Sequence, residues 1–418
     1  MSLLSEGISA APSPLQKPTP TSPRVLVIGG GVVGLSTAWL LLDQGFKVTI
    51  LADEWTGISS QAAGALWKCL PLECGPQAVM DNLDTNQRYT LESYKVYSAA
   101  AAIPELQKIV EMRPCTIVTT DTIDDNIVMS KKLEWIKESN IPGFRRGSEL
   151  FKEYGINTEH AGGLVEAYEY MAPVINVDNA LTFLMDLVQS KGALLKTGAV
   201  KGDLLDQEFQ LLKDHQADAI INAMGLGAHE AAADPNVYGL HGALLRVIND
   251  GTDFPIVQNA MVVSSTRSGS SGGEGAFLLP RKDNILALGT ISQSKGEAAD
   301  LTVDSAEVKE MRSRCEDLLP WLKNARLDSN HPIIQGTRPQ RRGGVRVERE
   351  TRREGSLIVH SYGHGGAGWS LAFGTAKEAV GIVSDITSVV QTIVPNKVWQ
   401  EETIAMEVSR KPSLVLQG

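Results

Sequence analysis

The sequence predicts an α/β protein in which a parallel sheet of βαβ units is interleaved with a second, mixed or antiparallel sheet. Three observations point there. A strand, a glycine-rich turn and a helix open the patterned part of the chain, at 24–42. A second unit of the same build closes it, at 357–390. Between them, strand patterns that belong with these two units recur around 200–225, while a separate series of short strands falls at 242–288. The two sheets therefore exchange chain with each other and do not follow one another like beads.

The elements read as follows. Residues 1–23 are rich in Pro, Ser and Thr and predict a disordered leader without the basic and apolar regions of a secretory signal. Arg24 to Ile28 is a short apolar run of the kind buried in a parallel sheet. The glycine turn 29–34 leads into an apolar helix that stops before Gly45. The next strand, 47–51, ends at Ala52-Asp53 and completes a right-handed βαβ unit. Residues 58–66 form a small-residue loop. Helices are expected over about 81–108, at 131–139 and from Val177 to about 191, with a strand at 116–119. Val200 falls in a strand candidate, and 219–222 is a buried strand ending in Ala223-Met224-Gly225. Runs at 242–248, 261–264, 276–279 and 285–288 read as successive strands, and the Gly/Ser-rich stretch 268–275 suits a mobile lid. Helices at 305–319 and 378–390 complete the pattern. These elements divide into a cofactor domain (24–80, 161–230 and 331–395), a substrate domain (81–160 and 231–330) and a tail (396–418).

Bulk properties narrow the function. The 418 residues suffice for two domains, and 43% hydrophobic with 21% charged residues is ordinary for a globular protein. A formal net charge of -10 argues against nucleic acid as a main partner. Arg338, Arg341, Arg342, Arg346, Arg349, Arg352 and Arg353 cluster, but Glu348, Glu350 and Glu354 interleave with them, as on a solvated strand-turn surface. Cys69, Cys74, Cys115 and Cys315 have neither a metal spacing nor a disulfide framework, so no metal and a reduced, cytoplasmic setting are expected. No apolar run reaches the ~18 residues of a membrane span. The end, Val415-Leu416-Gln417-Gly418, is not a peroxisomal address of the Ser-Lys-Leu type.

Chemistry concentrates in the glycine loops. Gly29-x-Gly31-x-x-Gly34 stands after a strand and before a helix, with Asp53 at the end of the second strand. This is the dinucleotide fingerprint in its required setting. Gly29 allows the tight turn, Gly31 lets the backbone approach a pyrophosphate, and Gly34 lets the helix pack on the strand. Asp53 can accept from both ribose hydroxyls. The pattern does not separate FAD from NAD. Ser59 and Ser60, followed by Ala62-Ala63-Gly64-Ala65-Leu66-Trp67, suit a loop pressed against phosphate or a flat ring; a helix N-cap with a small-residue contact fits equally. The second loop, Gly363-His364-Gly365-Gly366-Ala367-Gly368, opens another helix, whose N-terminus favours an anion. Arg338, in Gly336-Thr337-Arg338-Pro339, presents a rigid fork that suits a carboxylate, beside the plainer reading of a surface ion pair.

Taken together, 24–53, 58–67, 219–225, 336–341 and 361–370 resemble the D-amino-acid oxidase and D-aspartate oxidase family of FAD flavoenzymes. The most specific parts are Ala52-Asp53 before Ser59-Ser60, the Gly-x-Arg-Pro-x-Arg stretch at 336–341, and Tyr362-Gly363-His364-Gly365-Gly366-x-Gly368. The resemblance covers most of the chain after residue 23, and only loosely 81–160. It implies a Rossmann-type FAD-binding domain with an interleaved mixed or antiparallel-sheet substrate domain. FAD would be held by Gly29, Gly31, Val33, Gly34, Asp53, Ser59, Ser60, Gly64, Ala65 and Leu66, with Val200 at the adenine end. Gly365, Gly366, Ala367, Gly368, Trp369 and Ser370 would sit by the flavin. Arg338 would hold the substrate α-carboxylate, and the Gly366 carbonyl would accept from its amine. The implied reaction removes hydride from the amine-bearing carbon of a D-amino acid and gives an imino acid and hydrogen peroxide. Its partners would be a small amino acid or amine and molecular oxygen, in a monomer or homodimer.

Departures from the family keep two alternatives open, a specialised flavin oxidase or dehydrogenase and a non-catalytic flavin-fold binder. Phe277 stands where the family has a tyrosine that helps hold the carboxylate. Losing such a hydrogen bond costs about 1.5–3 kcal/mol, which predicts a bulkier, less polar substrate or one that is not a free amino acid. Trp67 is expected to line the ring pocket. Arg267, just before the lid, could bind a side-chain carboxylate as in D-aspartate oxidases, beside the plainer reading of a solvated loop charge.

Overall fold

The computed structural model describes residues 2–68, 83–264, 275–294 and 300–393. Arg267, the lid up to residue 274 and the tail 396–418 therefore lie outside the described residues. In chain order, β1 (Arg24–Ile28) leads into α1 (Val32–Asp43) and β2 (Lys47–Ala52). α2 (Leu83–Ala101), β3 (Val110–Thr119) and α3 (Ile127–Glu138) follow. The middle holds β4 (Glu166–Ile175), α4 (Val177–Ser190), β5 (Leu194–Thr197), α5 (Leu204–His215) and β6 (Ala219–Asn222). Next come β7 (Val237–Ile248), β8 (Ala260–Ser264), β9 (Phe277–Arg281) and β10 (Ile285–Gly289). The chain continues through α6 (Ala306–Leu318), β11 (Ile333–Arg341), β12 (Arg346–Arg349), β13 (Ile358–Tyr362) and α7 (Gly368–Ile393).

The first sheet runs β12-β13-β6-β1-β2-β5, and every pair but β12–β13 is parallel. Val25, Leu26, Val27 and Ile28 of β1 are all buried, because a central strand of such a sheet is covered on both faces. α1 packs against both α7 and α4, so it too is apolar nearly all round. The second sheet runs from Gln293–Ser294 through β7, β10, β9, β8, β3 and β4 to Arg145–Arg146, with β11 also on β7. It is mixed: β8–β3 is parallel and the other pairs are antiparallel. Among the described residues, no helix is long and apolar enough to cross a membrane.

Three expectations need correction. β4 and β11, placed by sequence in the cofactor domain, are strands of the second sheet. They pair with β3 and β7 along their whole lengths, and those partners lie too far away in sequence for a local pattern to reveal. The strand expected at Val200 ends earlier, where Gly198 N donates to Ala52 O at 2.9 Å; Val200 follows in irregular chain, partly buried. Residues 2–23 are not a disordered leader. Ser2–Leu3 pairs with Ile8–Ser9, and Leu3 and Ile8 are buried. Asp43 accepts from Ser9 N (2.8 Å) and Leu15 N (3.0 Å) and pairs with the equally buried Lys191 at 2.7 Å. Trp39 Nε1 donates to Ser9 O at 3.0 Å. Backbone hydrogen bonds to one buried carboxylate order a segment whose composition reads as loose. The arginine cluster is only partly the solvated surface expected: Arg346 pairs with the neighbouring Glu348, but Arg341, Arg352 and Arg353 pair with the distant Asp234, Asp203 and Glu208, of which Asp234 and Glu208 are buried.

Candidate active site

The first glycine loop is shaped by close approach. Gly29 has φ +126°, and a Cβ there would overlap Ala223 O at the end of β6. A Cβ on Gly34 would overlap Gly29 O, so α1 can lie this close to the turn only with glycine at 34. Gly31 precedes the first turn of α1, with Ser60 Oγ 3.1 Å from where its Cβ would stand. Val32 N donates to the same hydroxyl at 3.1 Å. Val33 is in the first turn of α1, and Asp53 follows β2, exposed to solvent.

The second loop is built alike. Gly363 (φ +84°) packs on Arg341, and Gly365 (φ +56°) packs on Gln340. Gly366 is exposed between the buried Gly365 and Ala367. α7 then starts at Gly368, whose Cβ would lie 3.6 Å from Val32 Cγ1. The two helix N-termini thus meet. The 58–68 loop ties them together: Trp369 Nε1 donates to Ser60 O at 3.0 Å, and Lys68 N donates to Ser370 Oγ at 3.3 Å. His364 is buried and its Nε2 lies 3.0 Å from Thr375 Oγ1; burial pushes its pKa down to about 4, so it is neutral near pH 7.

Arg338 lies in the middle of β11, opposite Leu240 on β7. Its guanidinium lies over Gly242, where any Cβ would overlap it. It donates to Thr290 Oγ1 at 2.8 Å and to Ile291 O at 3.2 Å, and Ser292 Oγ lies at 3.4 Å. Gly336, two residues earlier, packs on Ala62, and Ser59 Oγ donates to Thr337 O at 2.7 Å. The arginine strand is thereby fastened to the 58–68 loop. Phe277 touches the same loop: a Cβ on Gly64 would lie 3.1 Å from its ring. Lys68 Nζ stands 5.9 Å from the centre of that ring. Ala65 and Leu66 are buried, with Ala65 in the left-handed region at φ +55°.

Trp67 does not line this site. It is 0% exposed, its Nε1 donates to Thr90 O at 3.1 Å, and it packs on Tyr94 and Tyr170. An indole with its N–H already satisfied inside an aromatic cluster belongs to the core. Gly242, Lys68, Gln340 and Arg281 were not singled out as site residues by sequence. Each matters through a neighbour across a sheet or loop, and no local motif signals that.

A large anionic dinucleotide fits these residues. Two helix N-termini converge on one place, with glycines at the close approaches. Gln340 is 1% exposed, rests against Gly365, and among the described residues has a hydrogen-bond partner for neither Oε1 nor Nε2. A buried amide in that state calls for a polar edge beside it, which a flavin's pyrimidine ring has. Among the described residues no group of three or more His, Cys, Asp or Glu could hold a metal ion.

Comparison with known proteins places the fold and the family. A family profile described as FAD dependent oxidoreductase matches residues 24–381. A D-amino-acid oxidase of Streptomyces coelicolor is 31% identical over 365 residues, 86% of this chain and 97% of that protein. Among solved structures, iminodiacetate oxidase from Chelativorans superposes with a TM-score of 0.65 at 18% identity, covering 87% of this chain and 95% of the other. Glycine oxidase from Bacillus cereus superposes with a TM-score of 0.65 at 14% identity, covering 87% of this chain and 98% of the other.

Proposed function

This chain belongs to the family of FAD-dependent oxidoreductases, and from that premise we propose that it is a D-amino-acid oxidase. The amine-bearing carbon gives up a hydride, the nitrogen lone pair forms the C=N bond of an imino acid as an N–H proton is released, and the hydride and that proton end on molecular oxygen as hydrogen peroxide. The observation that carries this reading is a half-buried arginine, Arg338, held by Thr290 on a strand fastened to the loop that joins two helix N-termini. Bound FAD would supply the two-electron acceptor.

The chain's own residues orient the substrate. Arg338 offers a planar fork to an α-carboxylate, and Thr290 and Ile291 hold that fork in place. The exposed Gly366 carbonyl would accept from the amine. The N-terminus of α7 favours the negative charge that arrives with the electrons. Alignment and electrostatics then carry the rate without a protein base.

Phe277 supports a second reading, a specialised oxidase or dehydrogenase acting on a modified amino acid. It brings an apolar ring, packed on Gly64, to a place where the family offers a hydroxyl. The glycine and iminodiacetate oxidases named among the structural neighbours are in keeping with a varied substrate range. Anaerobic bleaching of the yellow protein by D-alanine, D-aspartate, a wider D-amino-acid panel, glycine and iminodiacetate, with peroxide measured on readmitting air, separates the two. Bleaching by common D-amino acids is the expected result. Bleaching confined to glycine, iminodiacetate or a modified amine moves the assignment to the second reading. Arg338→Ala is expected to lower kcat/KM on carboxylate substrates by orders of magnitude with FAD still bound; an unchanged kcat/KM removes the anchor assignment.

A further inference from the structure

Arg281 is a buried arginine that the proposed reaction does not use. It ends β9, on the same face as Phe277 four residues earlier, and is 8% exposed. Among the described residues no carboxylate forms an ion pair with it, and the like charge of Arg246 acts on it more strongly than the opposite charge of either Asp178 or Asp283. Its Nη2 donates to Ala63 O at 2.8 Å and reaches Gly64 O at 3.4 Å, and its Nε has no hydrogen-bond partner among the described residues. Burying a guanidinium without a counter-charge is unfavourable, so a plain loop anchor would be better made from a neutral donor.

The two carbonyls say what the arginine does. In a trans peptide the C=O of one residue and the N–H of the next point opposite ways. With Ala63 O and Gly64 O turned toward Arg281, the N–H groups of Gly64 and Ala65 are turned away from it. The rest of the loop is fixed independently, since Ile175 N donates to Ala65 O at 3.0 Å and Trp67 N donates to Pro173 O at 2.9 Å. Ala65 itself lies in the left-handed region, at φ +55°.

We propose that Arg281 is a positioning residue that sets the electron affinity of the bound flavin, by aiming the Gly64 and Ala65 N–H donors at the ring and by placing a buried positive charge behind them. The proposal rests on the reading that 64–66 line the cofactor. Donors and charge held this way favour the reduced, more negative ring over the oxidised one and so raise its potential.

The test uses the FAD-loaded protein. Midpoint potential is measured by anaerobic equilibration with reference dyes, and FAD affinity by flavin fluorescence on the stripped protein. Arg281→Met is expected to weaken the preference for reduced over oxidised flavin tenfold or more, a fall of about 30 mV for a two-electron couple. Arg281→Lys keeps the charge but cannot hold both carbonyls, and is expected to recover part of that loss. A wild-type potential in folded, FAD-bound Arg281→Met overturns the proposal; if Arg281→Met does not fold, a wild-type potential in Arg281→Lys overturns it. Gly64→Ala, which presses a methyl on the Phe277 ring, is the control for the underlying reading. If it alters FAD affinity or potential while the Arg281 variants do not, the loop lines the cofactor and only the arginine's role is wrong. If none of the three moves either quantity, the placement of the loop fails with it.

Discussion

Arg338 keeps its place because Gly242 has no side chain. A methyl group there would overlap the guanidinium, and a flexible arginine stem would yield before the β7–β11 pairing did. Gly242→Ala is therefore expected to displace the fork from Thr290 and raise KM for carboxylate substrates about tenfold or more, the equivalent of one hydrogen bond to a charged group. Its melting temperature should stay close to wild type. Steady-state kinetics beside a thermal melt decide this; an unchanged KM would mean that the guanidinium does not meet the carboxylate. The Gly-x-Arg-Pro stretch by itself left Arg338 between a carboxylate fork and a surface ion pair, and only the family resemblance pointed to the first. Gly242 was not legible, because its meaning comes from lying against a strand almost a hundred residues later. Trp67 misled for a related reason: an aromatic beside a glycine loop can face the ring or the core, and only the cluster with Tyr94 and Tyr170 decides.

At the scale of elements, β13 and the loop after it carry two buried neutral histidines. His360 lies between Asn222 Nδ2 (3.2 Å) and Glu350 Oε2 (3.1 Å), and desolvation lowers its pKa to about 4. His364 is lowered to about 4 by burial alone. Both folded values lie below the unfolded value of 6.5, so the unfolded chain takes up these protons first. Their stabilisation is full above about 6.5 and is lost as pH falls toward 4, at about 1.4 kcal/mol per pH unit for each histidine. Glu350 is held down to about 2 by Arg352, its backbone N–H and His360, against the desolvation that would raise it, and it adds a further loss below 4.5. Urea unfolding between about pH 7 and 4.5 should show this slope, and His364→Asn should remove about one proton's share of it. A flat profile in the wild type would mean that these rings are already protonated when folded. Strands β1 and β6 were legible because a strand buried on both faces is a nearly continuous apolar run, and β2 and β13 because each adjoins a glycine loop and a helix pattern. The leader was not, because what orders it is Asp43, which lies in α1 and shows no sign of that task in the sequence.

For the molecule as a whole, the interleaving of two sheets makes the cofactor site a joint between distant parts of the chain. Ser60 meets Trp369 and Lys68 meets Ser370, so the loop after β2 is bonded to the start of α7 across most of the sequence. The order of the glycine loops was legible, because each is a local unit of strand, turn and helix. The allotment of β4 and β11 to the second sheet was not, because a strand's sheet is chosen by its partners. A ligand that spans both helix N-termini and the 58–68 loop binds only when all three are assembled, and the unfolded chain has no such site. Binding must then stabilise the fold by mass action, by about 4 kcal/mol at a free concentration a thousand times Kd. Protein stripped of FAD should melt at a temperature that climbs with each addition of FAD, and protease cleavage within 58–68 should slow in parallel. NAD, which has no flavin ring to offer the unpartnered Gln340 amide, should produce a much smaller rise. A melting temperature indifferent to FAD, or raised equally by both dinucleotides, would mean that the second glycine loop does not grip the ring, and the convergence of the two helix N-termini would then need another explanation.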